Sequence, residues 1–107
     1  MSIRAFIANK SKQLTYYVDA YWAHRIDYKE LEHFLWDTLE EWTLYKDRVS
    51  EVYTHKERLF WHILFHLQHL DANTLSNDEE MKRELVTLMH YLHNNQLCPV
   101  EVIGIRP

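Results

Sequence analysis

The residues most able to do chemistry in this sequence are its eight histidines. Four of them follow one another along one predicted helix at spacings of seven, four and three residues. At about 100° per residue, their side chains fall within about 60° of one helix face. We call this set the histidine stripe; it consists of His55, His62, His66 and His69. Such spacing on a helix can present several imidazoles to one metal ion.

A second pair of histidines extends this metal-binding hypothesis. His90 and His93 lie on the next predicted helix, and an antiparallel hairpin would bring them close to His55. The apolar face of the stripe's own helix, however, lies more than about 90° away, and no carboxylate lies on the stripe to orient the imidazoles. The stripe is therefore predicted to face solvent or an interface. A zinc or other transition-metal site is kept as the alternative, with ligands from His55, His62, His66, His69, His90 and His93.

Other catalytic and cofactor-binding chemistries find little support. The one ExxH element considered, Glu30 to His33, faces away from the predicted core, whereas a di-iron carboxylate bundle needs two such elements facing inward. Cys98 is the only cysteine, which excludes a disulfide framework, and no base is identified beside it. One glycine cannot build a phosphate-binding loop. The sequence therefore predicts no catalytic residue and a chain that is not an enzyme.

The elements that carry these residues are predicted to be helices. Apolar residues recur at three- and four-residue steps, and the only Gly and Pro residues fall in the last nine positions. Short junctions make consecutive helices antiparallel neighbours. The prediction is a single all-α domain over residues 1–107, an up-down four-helix bundle. Its helices are expected over residues 2–25, 27–48, 54–70 and 77–93.

The second predicted helix has the clearest core pattern. Asp27 is a good N-cap, and Glu30 completes a capping box. The core positions form a strict heptad in which only one member is weakly apolar. They are Tyr28, Leu31, Leu35, Thr38, Trp42, Tyr45 and Val49. The third helix is predicted to start at Thr54, capped against Glu57, although residues 50–53 contain no breaker and the two helices could be continuous.

The tail, residues 97–107, differs from the rest of the chain. Its β-branched residues are bounded by prolines, which is typical of a strand, yet no second strand-like segment exists. A lone strand leaves backbone N–H and C=O groups unpaired. The tail is therefore expected to pair with a second copy, to pair with a partner's sheet edge, or to lie extended over the helices.

Aromatic residues make up 14% of the chain and exceed what one helical core requires. Trp61 and Phe65 extend the apolar surface of the third helix around its far side. Because aromatic side chains dominate interface hot spots, this surface and the tail are predicted to bind protein. The interface candidates are Trp61, Phe65, Val100, Val102, Ile103 and Ile105.

Net charge and hydropathy argue against two classes of partner, nucleic acids and membranes. A net charge of −4 argues against nucleic acid, and the longest uncharged apolar stretch, residues 59–70, is too short to span a bilayer. With no secretory signal pattern at the N-terminus, a cytoplasmic location and a reduced Cys98 are expected. The leading hypothesis is a non-enzymatic interaction module that forms a homodimer and binds an unknown protein. The alternative is a histidine-dependent metal- or ligand-binding bundle, acting as a sensor or small enzyme.

Overall fold

The computed structural model describes residues 2–45, 52–98, 102 and 104–107, and every regular element among them is helical. This confirms the all-α prediction for the described part of the chain. The chain divides into two compact units, residues 1–54 with Pro107 and residues 55–106. The single domain and the up-down arrangement stay predictions. The helices are α1 (Ile3–Trp22), α2 (Tyr28–Trp42), α3 (His55–Gln68), α4 (Ala72–Asn77) and α5 (Glu79–His93).

The first unit contains α1 and α2 with a tight turn between them. The Asp27 side chain accepts a hydrogen bond of 3.0 Å from the backbone N–H of Glu30, which confirms the predicted N-cap. The turn contains His24 at a φ of 60°, and the Arg25 N–H donates to the Ala20 carbonyl at 2.9 Å. This left-handed residue ends α1 earlier than residue 25, the predicted end.

Aromatic stacking and one ion pair join α1 to α2. The rings of Tyr17 and Phe34 stack with centroids 4.5 Å apart. Nearer the other end of α2, the rings of Phe6 and Trp42 lie 5.9 Å apart. Lys10 of α1 forms an ion pair with a glutamate of α2, Glu41. Attraction between a basic first helix and an acidic second helix is therefore present on the flank of this hairpin.

Four of the seven predicted heptad positions of α2 are buried, Tyr28 and Tyr45 are half-buried, and the helix is shorter than expected. Thr38, the weak position, is fully buried and its hydroxyl donates to the Phe34 carbonyl at 2.8 Å. Helical residues end at Trp42 rather than residue 48, and residues 43–45 form a turn with hydrogen bonds from each N–H to the carbonyl three residues earlier. Val49 lies outside the described residues. The buried heptad members are Leu31, Leu35, Thr38 and Trp42.

In the second unit, α3 packs against α5, and α4 also contacts α5. Residues 52–54 are not helical, so α3 begins anew at His55, next to the predicted start at Thr54. The end of α5 at His93 agrees with the predicted stop at the two asparagines, of which Asn95 has a φ of 55°. The buried apolar residues of these two helices are Leu59, Phe60, Trp61, Ile63, Leu64, Leu67, Leu85, Leu88, Met89 and Leu92.

Helix α4 was not predicted, because residues 71–76 read as a short junction. The Asp71 carboxylate caps it, accepting a hydrogen bond of 2.7 Å from the Thr74 N–H. Leu75 is fully buried and connects this short helix to the core. One N-cap and one apolar residue are too few for a periodicity argument, which explains why the pattern did not reveal α4.

Asp71 predicts a specific pH dependence. Hydrogen bonds from the backbone and side chain of Thr74 hold the pKa of Asp71 below its ordinary value of 3.8. A carboxylate with a lowered folded-state pKa stabilises the fold above its unfolded pKa, and this contribution disappears as the pH falls through the folded value. Thermal melts should therefore show Asp71→Ala less stable than wild type at neutral pH, with the difference shrinking in acid. Asp71→Asn keeps a capping oxygen but cannot titrate, so its difference from Asp71→Ala should not shrink; equal pH trends for all three proteins would contradict the assignment.

The described residues of the tail are not assigned to a strand. Val102 is buried, Gly104 is buried and Ile105 is 68% exposed, while Val100 and Ile103 lie outside the described residues. The strand-like conformation therefore stays a prediction. Among the described helices, none has the length and apolar character needed to cross a bilayer.

Candidate functional site

An open groove follows the C-terminal half of α3. Its volume is about 330 Å³. Phe65 and Leu70 form one wall, and three members of the histidine stripe form the rest. We call it the α3 groove; it is lined by His62, Phe65, His66, His69 and Leu70. Helix α3 places His62, Phe65 and His66 on one face, and His69 and Leu70 follow directly after its end at Gln68. The shared face of the histidines was predicted, whereas Phe65, predicted to extend the apolar surface on the far side of the helix, lies beside them.

The imidazoles in the groove have defined neighbours. Nε2 of His66 lies 2.9 Å from the thioether sulfur of Met81 on α5. Nδ1 of His69 lies 2.7 Å from the Phe65 carbonyl oxygen, so it is the protonated nitrogen that donates this bond. The rings of His62 and His66 stand edge to face with centroids 6.2 Å apart. Three imidazoles therefore border one groove, and one of them contacts a thioether.

The N-terminal end of the stripe has a different role. The backbone N–H of Cys98 donates to Nε2 of His55 at 3.1 Å. His55 thereby fixes the segment that follows α5, rather than contributing to the groove. His90 and His93 are exposed at the end of α5, where His90 is hydrogen-bonded to Asn94.

The residues considered for a metal site are not gathered together. Among the residues that the structure describes, no group of three His, Cys, Asp or Glu side chains is arranged to hold a metal ion. The six imidazoles are instead spread along α3, the turn after it, and the last turn of α5. The zinc hypothesis therefore stays a prediction with no such ligand group to support it.

A buried ion pair joins the first turn of α3 to the tail, and sequence reasoning missed it. The guanidinium of Arg106 contacts the Glu57 carboxylate with both Nε and a terminal nitrogen, at 2.5 and 2.8 Å. Glu57 also accepts a bond of 3.0 Å from the indole N–H of Trp61. The Glu57 side chain is only 2% exposed. A buried carboxylate needs such donors, because charge removed from water is costly unless it is paired.

This cluster supports the aromatic wall of the groove. Trp61 is fully buried, and its ring stacks on Phe65 with centroids 6.1 Å apart and an interplanar angle of 26°. The two aromatic interface candidates thus occupy different environments: Phe65 borders the groove, and Trp61 supports it from within. A glutamate four residues before a tryptophan, with one arginine in an otherwise apolar tail, is the signal that could have indicated the cluster.

Gly104 brings the tail against the helix backbone. A Cβ atom at this position would overlap the Arg58 carbonyl oxygen and lie 2.9 Å from the His62 backbone nitrogen. Both atoms belong to α3, so neither can move aside easily. The single glycine of the chain is therefore required by close approach of two backbone segments.

Gly104→Ala is expected to destabilise the protein by about 1–3 kcal/mol, as overpacking typically does. The added methyl group displaces the tail and, with it, Arg106 from Glu57. Urea denaturation of Gly104→Ala beside Glu84→Ala, a change at an exposed position of α5 outside this contact, measures the difference. Equal midpoints for the two variants would show that the tail does not approach α3 this closely.

Comparison with known proteins gives no further assignment: no family model matches the sequence, and neither a curated protein nor a solved structure matches the chain.

Proposed function

We propose that this chain is a non-enzymatic helical interaction module that forms a homodimer and binds a partner protein through the α3 groove. The observation that carries the proposal is the groove itself, an open depression in which the Phe65 ring forms an aromatic wall. Aromatic side chains supply much of the energy at protein interfaces, because they bury a large area at a small entropic cost.

The environment of Phe65 favours binding. Its ring is half-buried and stacks on Trp61, whose indole is held by Glu57. A side chain ordered before binding loses little conformational freedom when a partner covers it. Phe65 is therefore suited to act as a pre-organised contact.

Self-association is supported by an exposed apolar residue in the tail, at the point where the tail approaches α3. Ile105 is 68% exposed and directly follows Gly104, which lies against the backbone of α3 at Arg58 and His62. His62 also borders the groove. In a two-fold dimer, Ile105 of each copy would enter the groove of the other, so that one patch is used twice.

The proposal keeps several expectations from the sequence. The helices form an up-down bundle, and the tail runs extended across them. The protein works in the cytoplasm with Cys98 reduced, assigns no residue to catalysis, and binds neither nucleic acid nor a membrane.

Sedimentation velocity over a range of concentrations tests the proposal. The wild-type chain is expected to sediment as a dimer, and Phe65→Ser and Ile105→Ser are expected to shift it toward the monomer. Val86→Ser on α5 removes a side chain that is 52% exposed but outside the groove, so it serves as the matched control. A wild-type chain that remains monomeric at high concentration contradicts the homodimer.

A further inference from the structure

A histidine of the α3 groove contacts a thioether on the neighbouring helix. The nitrogen Nε2 of His66 and the sulfur of Met81 are 2.9 Å apart, and because a thioether can only accept, Nε2–H is the donor in this contact. In the other neutral tautomer of His66 the proton is on Nδ1, and Nε2 and the sulfur then each present a lone pair that a metal ion can bind. We propose that the α3 groove is a binding site for a soft monovalent metal ion, Cu(I), with His66 and Met81 as its two central ligands.

The thioether decides which metal the site takes. Zinc is bound in proteins by thiolate, imidazole and carboxylate, whereas thioether sulfur is a soft ligand that selects Cu(I). The groove offers no carboxylate among its lining residues and is bordered by Phe65 and Leu70. A low-charge ion with soft ligands fits such surroundings better than a divalent ion that needs anionic oxygen.

The fixed helices place the two central ligands. His66 lies on α3 and Met81 in the first turn and a half of α5, and these helices pack against each other. A metal ion bonded to both atoms, at about 2.0 Å from nitrogen and about 2.3 Å from sulfur, requires them to move apart by about 1 Å from the present 2.9 Å. The unbranched Met81 side chain, with three rotatable bonds, can supply this movement without moving either helix.

One of two neighbouring imidazoles can complete the coordination. The ring of His62 lies 6.2 Å from that of His66, one helical turn earlier. His69 donates from Nδ1 to the Phe65 carbonyl, which leaves its Nε2 unprotonated for a metal. An imidazole held in this way by a backbone carbonyl is the usual condition of a metal-ligating histidine.

All of these ligands belong to one chain, so the inference does not depend on the proposed homodimer. The sequence-based metal hypothesis named zinc or another transition metal and considered histidine ligands only. The pairing of Met81 with His66 appears only once α3 and α5 are packed together.

The test is an anaerobic titration of the full-length, tag-free protein with Cu(I) in competition with a chromogenic chelator. We expect one Cu(I) per chain, and an affinity about tenfold or more lower in Met81→Leu and in His66→Gln. Met89→Leu, the same change on the same helix at a buried position, and His33→Gln, on exposed α2 surface, should match wild type. Ile105→Ser, expected to shift the protein toward the monomer, should retain Cu(I) affinity.

Two further measurements identify the ligands. X-ray absorption of the copper-loaded protein should contain a sulfur ligand that is absent from Met81→Leu. Loss of affinity in His62→Gln or in His69→Gln identifies the third ligand, and zinc binding should be unaffected by Met81→Leu. Unchanged Cu(I) affinity in Met81→Leu, no sulfur in the absorption spectrum, or full affinity in both His62→Gln and His69→Gln would each overturn the proposal.

Discussion

Replacing Arg106 with methionine should lower the free energy of unfolding by about 3–5 kcal/mol, the usual cost of removing one partner of a buried ion pair. Methionine keeps most of the apolar stem of Arg106, so the change removes mainly the charge and its donors. Glu57 is then left buried and negatively charged, with the Trp61 indole as its remaining hydrogen-bond donor of this cluster. Urea denaturation measures the loss.

A double variant separates the cost of an unpaired charge from the value of the pair. In Glu57→Gln with Arg106→Met, the amide oxygen still accepts from Trp61, and no net charge remains buried. We expect this double variant to recover much of the stability lost in the single one. Arg83→Met on the exposed surface of α5 is the control and should change stability by about 0.5 kcal/mol or less. If Arg106→Met unfolds at the same midpoint as Arg83→Met, the tail does not bind α3 through this pair.

The same variant connects stability to the proposed function. Arg106 positions Glu57, Glu57 holds Trp61, and Trp61 stacks on Phe65. Loss of the arginine should therefore weaken self-association even where the protein remains folded. The tail therefore supports Phe65 indirectly, through Glu57 and Trp61, in addition to any direct contact that Ile105 makes with a second copy.

Local signals in the sequence were sufficient for much of the fold. Asp27 predicted the start of α2, and its heptad placed Leu31, Leu35 and Trp42 in the interior. The separation between the histidines of α3 and its apolar residues placed the stripe on the outer part of that helix. These features depend on neighbours within one or two helical turns, which the sequence displays directly.

The contacts that define the candidate site are of a different kind. Glu57 and Arg106 are separated by 49 residues, and His66 and Met81 by 15. Glu57 had a sufficient local explanation as part of a capping box, so nothing in its spacing indicated a buried carboxylate. Which distant side chains meet depends on the packing of α3 with α5 and the tail, and helical periodicity carries no information about it.

Which face of α2 is buried can be tested by replacing residues that lie close together in sequence but on opposite faces of the helix. Leu35→Ala should destabilise the protein by about 2–5 kcal/mol, because it removes a side chain that is only 3% exposed and leaves a cavity. His33→Ala and Glu30→Ala, both at exposed positions, should each change stability by about 0.5 kcal/mol or less. All three replacements introduce the same good helix former, so differences in helix propensity are small beside the effect of burial.

Urea melts of these three variants beside wild type decide the register. A large loss in Leu35→Ala with near-wild-type behaviour of the other two supports the buried heptad. Should His33→Ala prove as damaging as Leu35→Ala, the inner face of α2 would contain His33 instead. The single ExxH element would then face the interior, and the argument that excluded a carboxylate–histidine metal site, which depends on Glu30 and His33 lying outside, would no longer hold.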